Sequence, residues 1–292
     1  MSDAVAGGVE HTTSRRMWRL IEPIHALTYF APESIDALKA TGLRGYWMSY
    51  FAGRASPMGA VGAPIVESTF YNFAPWLVRR ALPDAWSFAT PSAVLDARWA
   101  GVANALAPLA ADLPATTIGG ATALLRDAVE ELNCDGRTLA AANASLELPD
   151  DELAAFWQLV TTLREHRGDG HVAALVCAGL SGLEAHVTLV GAGVVFRPVL
   201  QDARGFTDEE WQRAHDALEA RGLIRADGSL ADGGRELRRE VELTTDRVAL
   251  APWARLGAAR CEALCELVAP LGAAIAHLGA IPALNPMGLP SD

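Results

Sequence analysis

Helical periodicity runs through almost the whole chain and limits the folds that it can adopt. Apolar residues recur at the three- and four-residue spacing of an α-helix. This pattern predicts long helices over 14–30, 91–111, 149–166 and 169–189. Extended structure is predicted only over 194–196 and in one small hairpin. Because so little strand cannot build a sheet, the sequence predicts an all-α fold with a small β-wing.

Composition and charge narrow the class of protein further. The chain has 292 residues, of which 51% are hydrophobic and 20% charged, so it can bury a substantial core. Its net charge of −11 argues against a surface built wholly to attract nucleic acid or anionic lipid. Neither a signal peptide nor a membrane-spanning run is evident, and the four cysteines suit a reducing compartment. We therefore expect a cytoplasmic protein with no membrane partner.

The segment 204–248 has the clearest local signals in the chain. Thr207 and Glu210 have the spacing of a capping box, which predicts a helix over 207–220. Asp227-Gly228 suits a two-residue hairpin turn, and a further helix is predicted over 232–250. Helix, glycine, short strand, turn, strand and helix is the order of a recognition helix, its wing and the following helix. The segment therefore predicts a winged-helix-like element.

The stretch "ALEARGLIRADGSLADGGRELRREVE" resembles MarR-type winged-helix regulators. That resemblance implies DNA as a partner and a homodimer joined through terminal helices. A helix that reads DNA must lie against phosphates, where lysine or arginine releases counterions. The predicted reading helix instead sets Arg213 alone against five acidic residues, Asp208, Glu209, Glu210, Asp216 and Glu219. Its charge disfavours DNA binding and favours a scaffold for packing or dimer formation, although Arg204, Arg221 and Arg225 flank the unit and could touch a DNA backbone.

Three regions are predicted along the chain: an N-terminal helical region over 14–90, a helical insert over 91–168, and a winged-helix-like region with a C-terminal helix over 169–280. The first and third regions each place a histidine, His25 or His171, early in an apolar helix and an arginine before a later helix. Duplication of a winged-helix-like unit is one interpretation. The patterning common to helix bundles is the other.

Glu22 and His25 lie three residues apart and hence on one helical face. A carboxylate beside an imidazole can form an acid/base unit, with His25 as the base and Glu22 as its orienter. The same spacing occurs in di-iron bundles, but no second such pair is present. His25 could instead bind haem or a metal, since aromatic residues flank it. The simplest interpretation is a hydrogen-bonded histidine between helices.

Further polar residues stand in aromatic surroundings. Arg54 follows Gly53 and suits a bidentate contact with an anion, or an ion pair with Glu22 or Glu67. Polar groups in so apolar a region must find partners or face a pocket. The candidate ligand-binding residues are Arg54, Glu67, Asn72, Tyr29, Tyr50, Trp47, His171 and Glu184. In one continuous helix the last two would be too far apart to share a site.

These residues predict a helical pocket for a small apolar or aromatic molecule, because ligand pockets are apolar cavities with a few convergent polar groups. Catalysis in specialised metabolism, through His25 and Glu22, would extend that function. A ligand-responsive regulator of MarR type is the alternative, and haem or metal binding through His25 is a third. Phosphate-loop, zinc-protease and nucleophile-elbow motifs are missing from the sequence, so those chemistries are disfavoured.

Several longer motifs also carry a resemblance. They are "EPIHALTYFAPE", "YFAGRASPMG", "FYNFAPWLVRRALPDAW", "DGHVAALVCAGLSGLEAHVT" and "RGFTDEEWQRAHDALEARGLI". In this order they resemble an actinobacterial family with a helix-turn-helix element, over about residues 14–270. The resemblance implies a helical fold that contains a winged helix. It implies little about activity, because fold alone does not give function.

Overall fold

A computed structural model describes residues 9–289. Its helices are α1 (His11–Phe30), α2 (Pro32–Ala40), α3 (Gly45–Ala55), α4 (Ala63–Phe70), α5 (Pro75–Arg79), α6 (Ala85–Phe88), α7 (Pro91–Ala110), α8 (Thr117–Val129), α9 (Thr138–Ala144), α10 (Glu152–Cys177), α11 (Gly182–Gly191), α12 (Arg197–Arg204), α13 (Asp208–Ala220), α14 (Asp232–Val248), α15 (Ala251–Leu256) and α16 (Ala258–His277). A short 3-10 turn, Ser56–Met58, follows α3. The prediction of an all-α fold is confirmed.

Helix starts agree with the local sequence signals. Thr90 accepts a hydrogen bond from the Ala93 amide at 3.2 Å, and α7 begins at the proline that follows it. The capping box of α13 is formed as predicted, with Thr207 and Glu210 each accepting from the other's backbone amide. Such caps satisfy amides that a helix start leaves without partners. Local chemistry therefore sets where these helices begin.

Three apolar clusters form the core. The first is built around Trp157 on α10 and packs α1, α7, α8 and α16 together. The second surrounds Phe51 on α3, and the third surrounds Trp211 on α13. Helix α10 contacts α1, α7, α8, α9 and α14, and it is buried along most of its length. It is the central helix against which the others are arranged.

The course of α10 differs from the prediction. One continuous helix, α10, replaces the helix expected over 149–166 and the first half of the helix expected over 169–189. It ends near Gly179, which has a φ of 65°, and α11 begins at Gly182. The glycines inside α10 do not end the helix. At Gly170 the missing side chain lets neighbouring residues pack against the helix. A Cβ at Gly170 would lie 2.6 Å from Nη1 of Arg137 and 2.8 Å from Val248. The helix also runs through position 168, where the sequence suggested a boundary between regions.

The predicted strands did not form. In the segment 204–248 the wing is reduced to a single bridge between Ile224 and Leu230, and 194–196 is a turn before α12. A tight turn is present one residue earlier than predicted, since the Gly228 amide donates to the Arg225 carbonyl at 2.8 Å and places Ala226 and Asp227 at its centre. A hairpin this short has too few ladder positions to extend without a neighbouring strand.

None of the helices described over 9–289 is by itself both long and apolar enough to cross a membrane. Helices α10 and α11 reach that composition only when counted together, and they meet at 93°.

Candidate ligand-binding cavity

A cavity of about 280 Å³ lies where α1, α3 and α10 meet the 69–73 segment, the end of α12 and residues 286–287. Its wall is rich in aromatic side chains: Tyr29, Phe30, Tyr46, Trp47, Tyr50, Phe70 and Phe73. Seven polar or charged side chains also line the wall: Arg54, Thr69, Asn72, Arg164, Asp169, His171 and Arg204. This is the composition of a small-molecule pocket, with apolar area for affinity and a few polar groups for orientation.

The aromatic wall is a continuous set of touching rings. Tyr50 lies at its centre, with ring centroids 5.0 Å from Tyr29, 5.4 Å from Phe73 and 5.7 Å from Trp47. Most of these rings meet in tilted or edge-on arrangements, which aromatic quadrupoles favour. A planar ligand can therefore find both ring faces and ring edges around it.

The loop between Phe70 and Phe73 is held in an uncommon conformation. Tyr71 has a φ of 67°, in the left-handed region that side chains other than glycine seldom adopt. His186 on α11 donates from Nε2 to the Asn72 carbonyl at 3.0 Å. A Cβ at Gly182 would lie only 2.2 Å from the Tyr71 carbonyl oxygen, so glycine is needed for this approach. The start of α11 thus positions one side of the cavity.

Arg54 reaches the cavity with its charge already neutralised. Its Nε and Nη2 donate to the two carboxylate oxygens of Glu165, each at 3.0 Å. Arg164 donates to Glu165 at 2.9 Å and to Glu22 at 3.1 Å. Burial alone would raise the pKa of Glu165, but the two guanidinium groups outweigh it and hold that pKa well below its usual range. The sequence suggested Glu22 or Glu67 as the ion-pair partner of Arg54. The partner in the structure is Glu165, which sequence reasoning missed.

His25 is a buried, fully bonded histidine. Its Nδ1 lies 3.0 Å from the Thr161 hydroxyl and its Nε2 2.9 Å from the Tyr29 hydroxyl. The ring stacks on Trp157 with an interplanar angle of 6°. Burial holds the pKa of His25 well below its usual range, so the ring is neutral. Because both nitrogens are engaged, neither is free to bind a metal or haem iron, and His25 faces the cavity only through Tyr29.

Glu22 does not orient His25. Its carboxylate accepts hydrogen bonds from Trp18 at 2.7 Å and from Arg164 at 3.1 Å. The two residues share a helical face, as predicted, but their polar atoms have different partners. The acid/base unit expected from their spacing is therefore not assembled in this structure.

Six of the predicted residues line the same cavity: Tyr29, Trp47, Tyr50, Arg54, Asn72 and His171. His171 is half-buried on α10, where Nδ1 meets the Thr245 hydroxyl at 2.9 Å and burial lowers its pKa to about 4. Glu67 lies elsewhere and forms a bidentate pair with Arg79. Glu184 completes the capping box of α11 and pairs with Arg221, so it also lies outside the cavity.

Arg204 is the group on the wall that lacks a counter-charge. It is 9% exposed, and its Cζ lies 4.6 Å from the centre of the Phe73 ring. Its one hydrogen bond is a long contact of 3.4 Å from Nη1 to the Ala203 carbonyl, and Nε has no partner. Within residues 9–289 no carboxylate lies within 4.0 Å of the guanidinium. Burial lowers the pKa of Arg204, as expected for a cation moved away from water.

The end of α12 places Arg204 in this position. Gly205 ends the helix with a φ of 77°, and the Ala74 amide donates to the Arg204 carbonyl at 2.9 Å. A Cβ at Gly205 would lie 3.1 Å from Trp76 and 3.2 Å from Leu77. The sequence suggested that Arg204 could touch a DNA backbone. The structure instead turns it inward, because α12 is tied to the loop after α4.

A second concave feature, here called the arginine groove, lies between α1 and α14 and encloses about 920 Å³. Its charged lining consists of Arg15, Arg16, Arg19, Arg235, Arg238, Arg239, Glu242 and Asp246. Arg15 pairs with both carboxylates at 2.7 and 2.8 Å, while Arg16 and Arg239 pair with glutamates beside the groove. Arg19 and Arg238 form no ion pair within the described residues. Six arginines therefore line one groove.

Comparison with known proteins gives one result. No curated protein and no solved structure matches this chain. The model of a helix-turn-helix family matches residues 14–282, which is most of the length. The chain therefore belongs to this helix-turn-helix family.

Proposed function

We propose that this protein binds a small, planar aromatic molecule in the cavity between α1, α3 and α10. The observation that carries the proposal is the cavity itself, about 280 Å³ in volume and walled by seven aromatic side chains with a buried arginine among them. Six residues that sequence reasoning selected for ligand binding lie on that wall. Aromatic rings in tilted contact offer a planar guest large apolar contact at little cost in side-chain entropy.

The candidate acid and base groups near the cavity already have hydrogen-bond partners. His25 is bonded at both nitrogens, and Glu22 is engaged with Trp18 and Arg164. Asp169 on the wall accepts a hydrogen bond from the Ala140 amide at 2.9 Å. Groups already bonded in this way orient and shape a pocket. Catalysis would require one of them to release its partner.

A cavity-filling variant tests the proposal. Ala203 lies on the wall, so Ala203→Trp would occupy the space without removing a charge. We expect naphthalene derivatives to quench tryptophan fluorescence and raise the melting temperature of the native protein, but not of Ala203→Trp. Ala217→Trp, on the exposed face of α13, is the matched control and should bind as the native protein does. Equal binding to both variants, or no binding of any planar aromatic compound, would show the proposal to be wrong.

A second candidate function is a ligand-responsive, DNA-binding regulator, which family membership favours. Helices α12 and α13 follow one another across a three-residue turn, in the order of a helix-turn-helix, and the short turn before α14 would stand in place of a wing. Helix α13 carries Asp208, Glu209 and Glu210 in its first turn, where a DNA reader would need cations. The observation that supports DNA contact is the arginine groove, which lies on α1 and α14 instead.

Fluorescence anisotropy with duplex DNA separates these two surfaces. If the groove binds the backbone, Arg19→Ala and Arg238→Ala each weaken binding and make the salt dependence shallower by about one counterion, between about 50 and 200 mM salt. Arg213→Ala, on α13, would then change little. Loss of binding in Arg213→Ala alone would assign the contact to α13. No binding at low salt would refute the regulator.

A regulator of MarR type would also be a homodimer. Light scattering of the purified protein measures the mass of the assembly directly. A monomeric mass of about 30.9 kDa at micromolar concentration would remove this part of the proposal.

A further inference from the structure

The buried arginines near the cavity differ in whether a carboxylate neutralises them. Arg54 and Arg164 share Glu165, and Arg164 also binds Glu22, so two cations face two anions. Arg98, deeper in the fold, donates to the Gly53 carbonyl at 2.8 Å and the Asn143 side chain at 3.2 Å. Arg54 and Arg164 therefore need nothing from a ligand. Arg98 has no carboxylate partner and its Nε is unbonded, but it does not line the cavity.

Arg204 remains as the cation on the cavity wall that has no carboxylate partner among the described residues. A buried guanidinium without a counter-anion is costly, and natural proteins seldom keep one unless it has a use. Asp169 shares the cavity wall, but among residues 9–289 no carboxylate lies within 4.0 Å of the Arg204 guanidinium. The phenols of Tyr46 and Tyr50 are near enough to affect the pKa of Arg204. Burial raises the pKa of Tyr46 well above its usual value, so that phenol stays neutral and supplies no counter-charge.

The other groups on the wall limit which anion could enter. Asp169 lies on the wall and would repel a second negative charge. Arg54 and Arg164 are committed to Glu165 and Glu22 and cannot serve a dianion without breaking buried pairs. One free guanidinium fork suits one carboxylate, because the two oxygens match its geometry bidentately. A phosphate monoester would carry more charge than this wall can balance.

We propose that the ligand of the cavity is an aromatic monocarboxylate whose carboxylate binds the Arg204 guanidinium and whose ring lies among Tyr50, Phe73 and Trp47. This inference rests on the proposed ligand-binding function and names its chemical class. Phe73 lies against the guanidinium, so the anion would complete a partly dehydrated site next to the aromatic wall. Binding would supply the counter-charge that the protein itself lacks.

Isothermal titration with a matched pair of probes tests the class of ligand. Naphthoate and naphthamide share one ring system and differ in charge. We expect the native protein to bind naphthoate about ten- to a hundred-fold more tightly, the value of charge-assisted hydrogen bonds. In Arg204→Met this preference should disappear, whereas Arg213→Met, an exposed arginine on α13, should keep it.

The outcomes separate the inference from the function on which it rests. Equal affinity for both probes would overturn the carboxylate assignment and leave an aromatic pocket. Binding of neither probe would overturn both. Persistence of the preference in Arg204→Met would also refute the role of Arg204.

The melting temperature of the ligand-free variant shows whether a loss of binding comes from unfolding. Arg204→Met removes an unpaired buried charge, so the ligand-free variant should melt at the same temperature as the native protein or higher. A merely structural arginine would lower it. If the methionine variant is insoluble, Arg204→Lys keeps the charge but loses the fork, and its preference for naphthoate should fall to an intermediate value.

Discussion

Replacing Glu165 by glutamine would remove the anion that holds the buried charge network together. The Glu165 carboxylate is 1% exposed and accepts three hydrogen bonds, two from Arg54 and one from Arg164. Glutamine keeps the shape but offers one acceptor oxygen and no charge. Removing one partner of a buried ion pair costs about 3–5 kcal/mol, because the other charge stays buried without compensation. We expect the free energy of unfolding to fall by about that amount.

Urea denaturation followed by circular dichroism measures the loss, with the native m-value as a check on two-state unfolding. The matched control is Glu67→Gln. Its partner Arg79 has a side chain that is 64% exposed, so this change should cost less than about 1 kcal/mol.

A double variant tests the mechanism. Arg54→Met with Glu165→Leu removes both charges. This double variant should be more stable than Glu165→Gln alone, because no unpaired guanidinium remains at position 54. A loss below about 1 kcal/mol in Glu165→Gln, or a double variant less stable than the single one, would refute the reasoning.

Two further predictions follow from the packing and the titrating groups. Gly182→Ala should lower the free energy of unfolding by roughly 1–3 kcal/mol, since its Cβ would meet the Tyr71 carbonyl at 2.2 Å. The control is Gly272→Ala in α16, where a Cβ would have nothing within 4 Å, and it should be neutral or stabilising by up to about 1 kcal/mol. Urea titration of both variants measures the difference. Acid should destabilise the fold below about pH 6.5, where unfolded histidine takes up a proton. Burial lowers the pKa of His166 to about 4 and of His186 to about 3, so their contribution is complete above pH 6.5 and declines as the pH falls towards those values. Each histidine should contribute about 1.4 kcal/mol per pH unit to the slope of the unfolding free energy against pH. Asp169 opposes this in part, because burial raises its pKa to about 6 and its contribution to stability grows as the pH falls. A urea midpoint that is flat between pH 7 and 5, or unchanged in slope in His186→Gln, would contradict this.

Local signals predicted much of the helical framework correctly. The caps at Thr90 and Thr207 depend on residues a few positions apart, so they can be recognised without the tertiary structure. Glycines in α10 misled the prediction of helix ends. Glycine destabilises an isolated helix. Tertiary packing outweighs this low helix propensity where a neighbour such as Val248 occupies the space that a side chain would fill.

The candidate site was only partly predictable. Aromatic and polar residues in apolar surroundings pointed to the cavity wall, and six of them lie on it. The partners of Glu22, His25 and Arg54 were not predictable, because spacing along a helix says which residues share a face but not what that face meets. Glu165 and Arg204, which decide the charge of the cavity, had no distinct sequence signal.

The sequence by itself determined the all-α class, the start of several helices and the aromatic character of the N-terminal half, because these depend on periodicity, capping and composition. Only the tertiary structure decided which charges are neutralised. Arg54 and Glu165 are 111 positions apart, and Arg204 reaches the cavity from α12. A guanidinium takes whichever carboxylate the packing of distant helices brings to it. That packing left Arg204 without one, and the proposed ligand chemistry follows from it.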